Sequence, residues 1–397
     1  MQSEIEKEIR KRAKTEHSFF LYDLSRVRTQ IANLTGLPRN VEVFYAMKAN
    51  DHPAILDLMT HSPPIRGIEI ASAGEAQKVL NHEPNLSRTI YTGPSKREDE
   101  LEFAMRNGIQ LINVESLTEA YRIRDLSRGY QPVLLRLNVN QEIHDVATKM
   151  SSATEPTPFG INEEDAPEVI KEIRGLQGVN LKGLHIFAAS GVLDAQALLQ
   201  HIDYSFNLFR DLELQTGMRL DTLDFGGGIG IDYEGKREFD ITSFSKGLEA
   251  LIGKHRMKDR RLIFELGRYL VADAGYFVTT INDIKESREK KILLCTAGTN
   301  AHRRPYAMKI NYPITILKHG ENIIYPEQLS AENEHVQVRG PLCTSADVLS
   351  SDTYVSRAEI GNLVVMAKSG AYGADMSHKD FLSHEHVPEF TIGEKNE

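Results

Sequence analysis

Short runs rich in Val, Ile, Leu and Phe recur along the first two thirds of the chain, and between them the apolar positions return with helical spacing. The runs are VEVFYAM (41–47), GIEIA (67–71), TIYTG (89–93), LINVE (111–115), VLLRLNV (133–139), LKGLHIF (181–187), TLDFGGG (222–228) and RLIFELG (261–267). Helical pattern fills 53–60, 74–81, 98–106, 117–126, 166–174, 195–213 and 241–254. Continuously apolar strands that alternate with helices predict a parallel sheet in an α/β fold, and eight such units predict a (β/α)8 barrel. A doubly wound open sheet is the competing arrangement.

Beyond Gly267 the texture changes. YFVTTINDIKE, KKILLCTAG, NYPITILK, HVQVRGPL, NLVVMAKSG and EFTIG follow one another without regular helices, which predicts a second, mostly antiparallel β domain of sandwich or barrel form over 271–397. FFLYDL (19–24) precedes the first barrel unit and is expected to add a strand to that domain. Residues 1–24 then belong with it, and the barrel runs over 25–270. Residues 140–158 read as a long mobile loop.

The 397 residues are 41% hydrophobic and 26% charged, with 28 Gly and 15 Pro, which excludes collagen-like, mucin-like and wholly disordered chains. Lys and Arg number 47 against 56 Asp and Glu, and the net charge of −9 argues against a nucleic-acid partner held through its phosphates. No stretch approaches the ~18 uninterrupted apolar residues of a membrane span. The N-terminal MQSEIEKEIRKRAKTEHS lacks the apolar core of a secretory signal, and Cys295 and Cys343 form no CxxC or Cys/His cluster. A reduced, cytoplasmic protein with no membrane partner is expected.

In a parallel barrel the reacting groups stand at the C-terminal ends of strands. Lys48 follows VEVFYAM at such an end, where apolar surroundings ease loss of its proton and turn it into a nucleophile toward carbonyls. Gly226, Gly227 and Gly228 follow another strand and offer bare backbone N–H groups to a phosphate, though without dinucleotide or P-loop spacing. Glu265 ends a third strand, with Arg268 three residues on. Taken singly, a solvated lysine, a tight turn and a surface ion pair explain each of these.

Together, YAMKAN, IEIASAGE, FGGGIG, ELGRYLV, GPLCTSAD and SGAYG, in this order across nearly the whole chain, resemble the fold-type III decarboxylases of ornithine and diaminopimelate, which use pyridoxal 5′-phosphate in an alanine-racemase-like barrel. TAGTNAHRRP, PLCTSAD and GAYGADMSHKDFLSH are most similar to decarboxylases of citrate-derived siderophore assembly, of the staphyloferrin B type, and to a carrier-linked glutamyl decarboxylase. The resemblance implies that Lys48 carries the cofactor covalently and returns a proton to the substrate. Glu265 would face the ring nitrogen. Ser190, Gly226, Gly227, Gly228, Arg268 and Tyr372 would hold the phosphate, with Glu69 near Lys48 and Arg136 beside the ring hydroxyl. Cys343 in the GPLC run would act across the interface of a homodimer with shared sites.

The departures from the family bear on the substrate. Phe187 stands where a histidine usually faces the ring; it can stack but not donate a proton. His185, two residues earlier, does not simply inherit that task. Thr344 replaces a carboxylate that receives a distal ammonium, and Asp347 of the same PLCTSAD run is placed at the substrate with it. Arg303 and Arg304 stand where an acidic residue is absent, so a distal carboxylate is expected. The change to Thr296 has no evident reading. His378, His384 and His386 lack metal-ligand spacing, and no metal is expected. Met47 and Met150 read as packing.

The leading reading is a carboxy-lyase that decarboxylates a carboxylate-bearing amino acid or conjugate in siderophore or specialised metabolism. Diaminopimelate decarboxylase is the enzymatic alternative, and a non-catalytic pyridoxal-phosphate-binding protein is the alternative from another class.

Overall fold

The computed structural model describes residues 3–141, 156–187, 190–235, 237–319 and 328–393. Of the loop expected over 140–158, residues 142–155 lie outside the described residues, and Met150 lies there with them. The chain divides into two compact units: Gln30–Ile231 with Glu238–Tyr269, and Met1–Thr29 with Asp232–Arg237 and Leu270–Glu397. The first strand, β1 (Ser18–Asp23), belongs to the second of these.

The larger unit contains β2 (Val41–Ala46), β3 (Ile65–Ile70), β4 (Thr89–Tyr91), β5 (Leu111–Val114), β6 (Gln131–Asn138), β7 (Ile161–Asn162), β8 (Val179–Ile186), β9 (Thr222–Asp224) and β10 (Arg261–Leu266). They pair in the order β5-β4-β3-β2-β10-β9-β8-β6-β7, all parallel, and pairing of β5 with β6 closes the ring. The predicted (β/α)8 barrel is therefore present, with the short β7 riding on β6. Helices lie where the apolar spacing predicts them; that expected over 195–213 runs on to Thr216, where Gly217 takes a left-handed conformation and ends it.

Two strand-to-helix turns carry a serine followed three residues later by glutamate. Ser72 Oγ accepts the Glu75 N–H, and Glu75 reaches back to accept the Ala71 N–H; Ser116 and Glu119 repeat the arrangement, with Glu119 accepting the Glu115 N–H. Lys96, almost wholly buried, donates to Glu119 Oε1, the Asn113 carbonyl and the Gly93 carbonyl at 2.6–2.8 Å. These bonds fix the strand ends to the helices that follow them.

Inside the barrel Phe44, Ile90, Leu111, Leu134 and Ile263 form an apolar cluster. Side chains alternate along a strand, so the residues two positions onward face the same interior: Ala46, Thr92, Asn113, Arg136 and Glu265. Pairing places Glu69 beside Ala46, His185 beside Arg136 and Asp224 beside His185. A polar layer thus lies directly above an apolar one.

The smaller unit holds β11 (Gly275–Ser287), β12 (Lys290–Cys295), β13 (Ile314–Leu317), β14 (Ala331–Arg339), β15 (Val348–Ala358), β16 (Leu363–Ala367) and β17 (Glu389–Ile392). Their order is β13-β16-β11-β12-β14-β15, with β1 on β11 and β17 on β1. All pairs are antiparallel except β1–β17 and β12–β14. A helix over Ser3–Arg12, absent from the sequence expectations, buries Ile5 and Ile9 against Phe19, Leu21, Val278 and Val365 of this sheet.

Gly183 occupies the middle of β8, where a Cβ would stand 1.7 Å from the Thr222 carbonyl oxygen. Gly183→Ala should lower the stability measured by urea unfolding by at least about 1–3 kcal/mol. Gly36→Ala, where a Cβ meets nothing within 4 Å, should stay within about 0.5 kcal/mol of wild type. Equal midpoints for the two variants would refute the close approach of β8 and β9.

Candidate active site

Lys48 lies in a single 3₁₀ turn, Met47–Ala49, directly after β2. The Tyr45 hydroxyl donates to the Asn50 carbonyl at 2.7 Å and holds the turn, while Met47 is fully buried as packing. Lys48 Nζ lies 3.0 and 2.9 Å from the two carboxylate oxygens of Glu69. Glu69 is wholly buried, whereas the lysine side chain remains 45% exposed, so the ammonium is tethered yet reachable.

Glu265 sits deeper. Its Oε1 accepts the Thr92 hydroxyl at 3.1 Å and the Asn113 amide at 3.2 Å, and Asn113 also donates to Thr92 at 2.9 Å. Burial first, and then the charges of Asp224 and Glu69, push its carboxyl well above the ordinary range. Burial likewise pushes Asp224 up to about 7. His185 faces the same interior, and burial followed by the positive charge of Arg136 holds its imidazole well below the usual value. Arg136 donates to Glu115 Oε1 at 2.7 Å and stacks on Phe159, so its expected place beside a ring hydroxyl is compatible only with a shared guanidinium.

Around the glycine turn, Gly226 adopts φ +63° and donates its N–H to Asp224 Oδ1 at 2.8 Å; Gly228 has φ +126°. A Cβ on Gly226 would come within 2.6 Å of the half-buried Phe187 ring, and one on Gly227 within 2.9 Å of the Glu265 carbonyl oxygen. Arg268 Nη2 donates to Ser190 Oγ at 3.1 Å. The barrel therefore brings together Lys48 with Glu69, Ser190 with Arg268, and Phe187 with Gly226 and Gly227. Thr92, Asn113, Glu115 and Asp224 were not singled out from sequence, although Thr92 and Asn113 sit two residues beyond an apolar inward position just as Glu265 does.

In the smaller unit, two adjacent arginines have opposite fates. Arg303 is exposed and donates its backbone N–H to Ser377 Oγ, whereas Arg304 is only 3% exposed. The Arg304 guanidinium lies 4.9 Å from the Tyr372 ring centre and 5.6 Å from that of Tyr233, and its Nε and Nη2 have no hydrogen-bond partner among the described residues. Tyr372 holds φ +55°, a conformation a bulky residue rarely adopts. Asp347 is buried, accepting the Thr299 N–H and hydroxyl and the Leu342 N–H, which ties two loops together. Thr344 and Cys343 are exposed on the single chain, and His386 of the tail pairs with Asp380.

The family described as pyridoxal-dependent decarboxylase, pyridoxal binding domain, matches residues 24–272. A 2-[(L-alanin-3-ylcarbamoyl)methyl]-2-hydroxybutanedioate decarboxylase of Staphylococcus aureus is 33% identical over 94% of this chain and 92% of that protein. An L-glutamyl acyl-carrier protein decarboxylase of Niallia circulans is 29% identical over 93% of this chain and 87% of its own length. The crystal structure of diaminopimelate decarboxylase from Helicobacter pylori complexed with L-lysine superposes with a TM-score of 0.82 at 26% identity, covering 95% and 92% of the two chains. The barrel suits pyridoxal phosphate on its own geometry. It offers a reachable lysine, a buried carboxyl set on an interior wall, a guanidinium hydrogen-bonded to a serine hydroxyl, and a glycine turn packed so closely that a Cβ would collide. With this fit, the match over the barrel and a relative similar along nearly its whole length, the chain belongs to the pyridoxal-dependent decarboxylases.

Proposed function

We propose that this chain removes the α-carboxylate from an amino acid conjugate whose far end is itself a carboxylate. The observation that carries the substrate half of this reading is Arg304, a buried guanidinium with two partnerless nitrogens and no carboxylate ion-paired to it among the described residues. A buried charge is costly unless paired, so an anion from outside the chain completes it. The name of the Staphylococcus aureus relative fits: a hydroxybutanedioate portion lies beyond its alanyl centre. A place in siderophore or related specialised metabolism follows from the same likeness. Diaminopimelate, which also ends in a carboxylate, is the second reading, favoured by the likeness to the Helicobacter pylori enzyme.

Bound pyridoxal phosphate supplies a sink for the electron pair left when carbon dioxide departs. Lys48 would hold its aldehyde carbon, Ser190, Arg268 and the Gly226–Gly228 backbone its phosphate, and Glu265 its ring nitrogen. Glu69 accepts from Lys48 Nζ and orients it, and Lys48 would return a proton to the substrate's α-carbon. Phe187 packs over the glycine turn and has no proton to donate.

Borohydride reduction of the loaded protein followed by peptide mapping should place the label on Lys48, and label on another lysine would remove it from this role. Lys48→Ala should abolish turnover while phosphate contacts still retain part of the cofactor.

Carbon dioxide release should be compared across citryl-diaminopropionate, diaminopimelate, ornithine and lysine. A charge-assisted contact contributes roughly 1.5–3 kcal/mol, so Arg304→Ala should cost about ten- to a hundred-fold in kcat/KM on the acidic substrate and little on one lacking that carboxylate. Faster turnover of ornithine or lysine by the wild type would sink the substrate reading.

A homodimer with shared sites is part of the proposal, with exposed Cys343 serving the partner's site. Mixing inactive Lys48→Ala and Cys343→Ala proteins should then restore measurable activity. No recovery despite confirmed subunit exchange would count against sharing.

A further inference from the structure

Three polar side chains stand on the neighbouring strands β8, β9 and β10: His185, Asp224 and Glu265. His185 is register-paired with Asp224, and Asp224 with Ile263, two residues before Glu265. One polar atom from each lies within 4.8 Å of the others, and His185 Nε2 is 3.8 Å from Glu265 Oε2. All three residues are buried. Glu265 Oε1 is taken by Thr92 and Asn113, and Asp224 Oδ1 by the Gly226 N–H. Asp224 Oδ2 and both ring nitrogens of His185 have no partner among the described residues.

We propose that Asp224 and His185 are positioning residues for Glu265: the two carboxyl groups share one proton and an uncharged His185 closes the third side, so that this wall of the barrel carries a single negative charge.

Two ionised carboxylates this close in a dry interior repel strongly, and one of them retains a proton. The cations facing them from the surrounding elements are already committed. Lys48 is held by Glu69, Arg136 by Glu115, Lys96 by Glu119 and Arg261 by Glu42. His185 supplies no positive charge either, because burial and the nearby Arg136, Lys48 and Lys96 all disfavour its protonation. The result is a pair that titrates as a unit. Through the role proposed above for Glu265, on which this consequence rests, a single negative charge would match a single proton on the cofactor's ring nitrogen. The shared proton itself does not depend on that role.

The test uses the full chain without added cofactor, so its failure is separate from any failure of the decarboxylase reading. Infrared pH-difference spectra in the carboxyl stretching region should show a buried protonated carboxyl in the wild type at neutral pH. In Asp224→Asn and in Glu265→Gln, both of which keep the hydrogen-bond acceptors used by Gly226, Thr92 and Asn113, the carboxyl that remains should ionise about 1–3 pH units lower. Nitrogen NMR of the imidazoles, with His185→Gln for assignment, should find His185 still neutral at a pH where a free imidazole is charged. An unchanged titration of the remaining carboxyl overturns the proposal. So does the absence of a protonated carboxyl in the wild type, a charged His185 at neutral pH, or a stoichiometric divalent metal in the purified chain that each substitution removes. The wild-type measurements decide the matter even where a variant folds poorly.

Discussion

Parallel strands closed into a barrel are covered by helices outside and by one another inside, so an inward-facing charge is tolerable only where the apolar filling ends and other polar groups can meet it. Here that boundary lies between the layer of Phe44, Ile90, Leu111, Leu134 and Ile263 and the residues two positions beyond. The inward-facing polar groups of the larger unit hang from this step. The same alternation that seals the interior with aromatic and branched side chains presents Glu69, Thr92, Asn113, Arg136, His185, Asp224 and Glu265 to a common space, and the strand pairing fixes which of them are neighbours.

Charge balance then separates framework from function. Lys96 with Glu119 and Arg136 with Glu115 are buried pairs with further hydrogen bonds, the condition under which ions survive desolvation. Lys48 with Glu69 is half open to solvent. Among the described residues, no Lys or Arg is ion-paired with Asp224 or Glu265 in the barrel, and no carboxylate is ion-paired with Arg304 in the smaller unit.

Much of this was legible in the chain. Eight apolar runs became the eight barrel strands because a strand buried on both faces needs no alternation to be recognised. The helix over Ser3–Arg12 escaped because only Ile5 and Ile9 bury, and a window dominated by Glu, Lys and Arg hides two isoleucines one turn apart. Arg303 and Arg304 were indistinguishable as adjacent letters; their difference lies in which one turns toward Tyr233 and Tyr372, contacts made by distant parts of the chain. Asp347 read as a substrate contact from its motif, while its three hydrogen bonds to Thr299 and Leu342 give it a loop to hold. Asp224 inside TLDFGGG carries no signal of its own beside three glycines, and Glu265, with which it shares the barrel interior, stands forty-one residues later on another strand.

Arg304, with no carboxylate paired to it among the described residues, would also make the smaller unit thermodynamically dependent on its surroundings. A site that binds an anion only when the cage of Tyr233 and Tyr372 is formed couples occupancy to folding by mass action, so under the proposed role of Arg304 the melting behaviour of this chain would follow the free carboxylate concentration as well as the sequence. On the proposed reading of Arg304, citrate or succinate used as a mere buffer would be a ligand, raising apparent stability and depressing apparent affinity for the true substrate in the same tube.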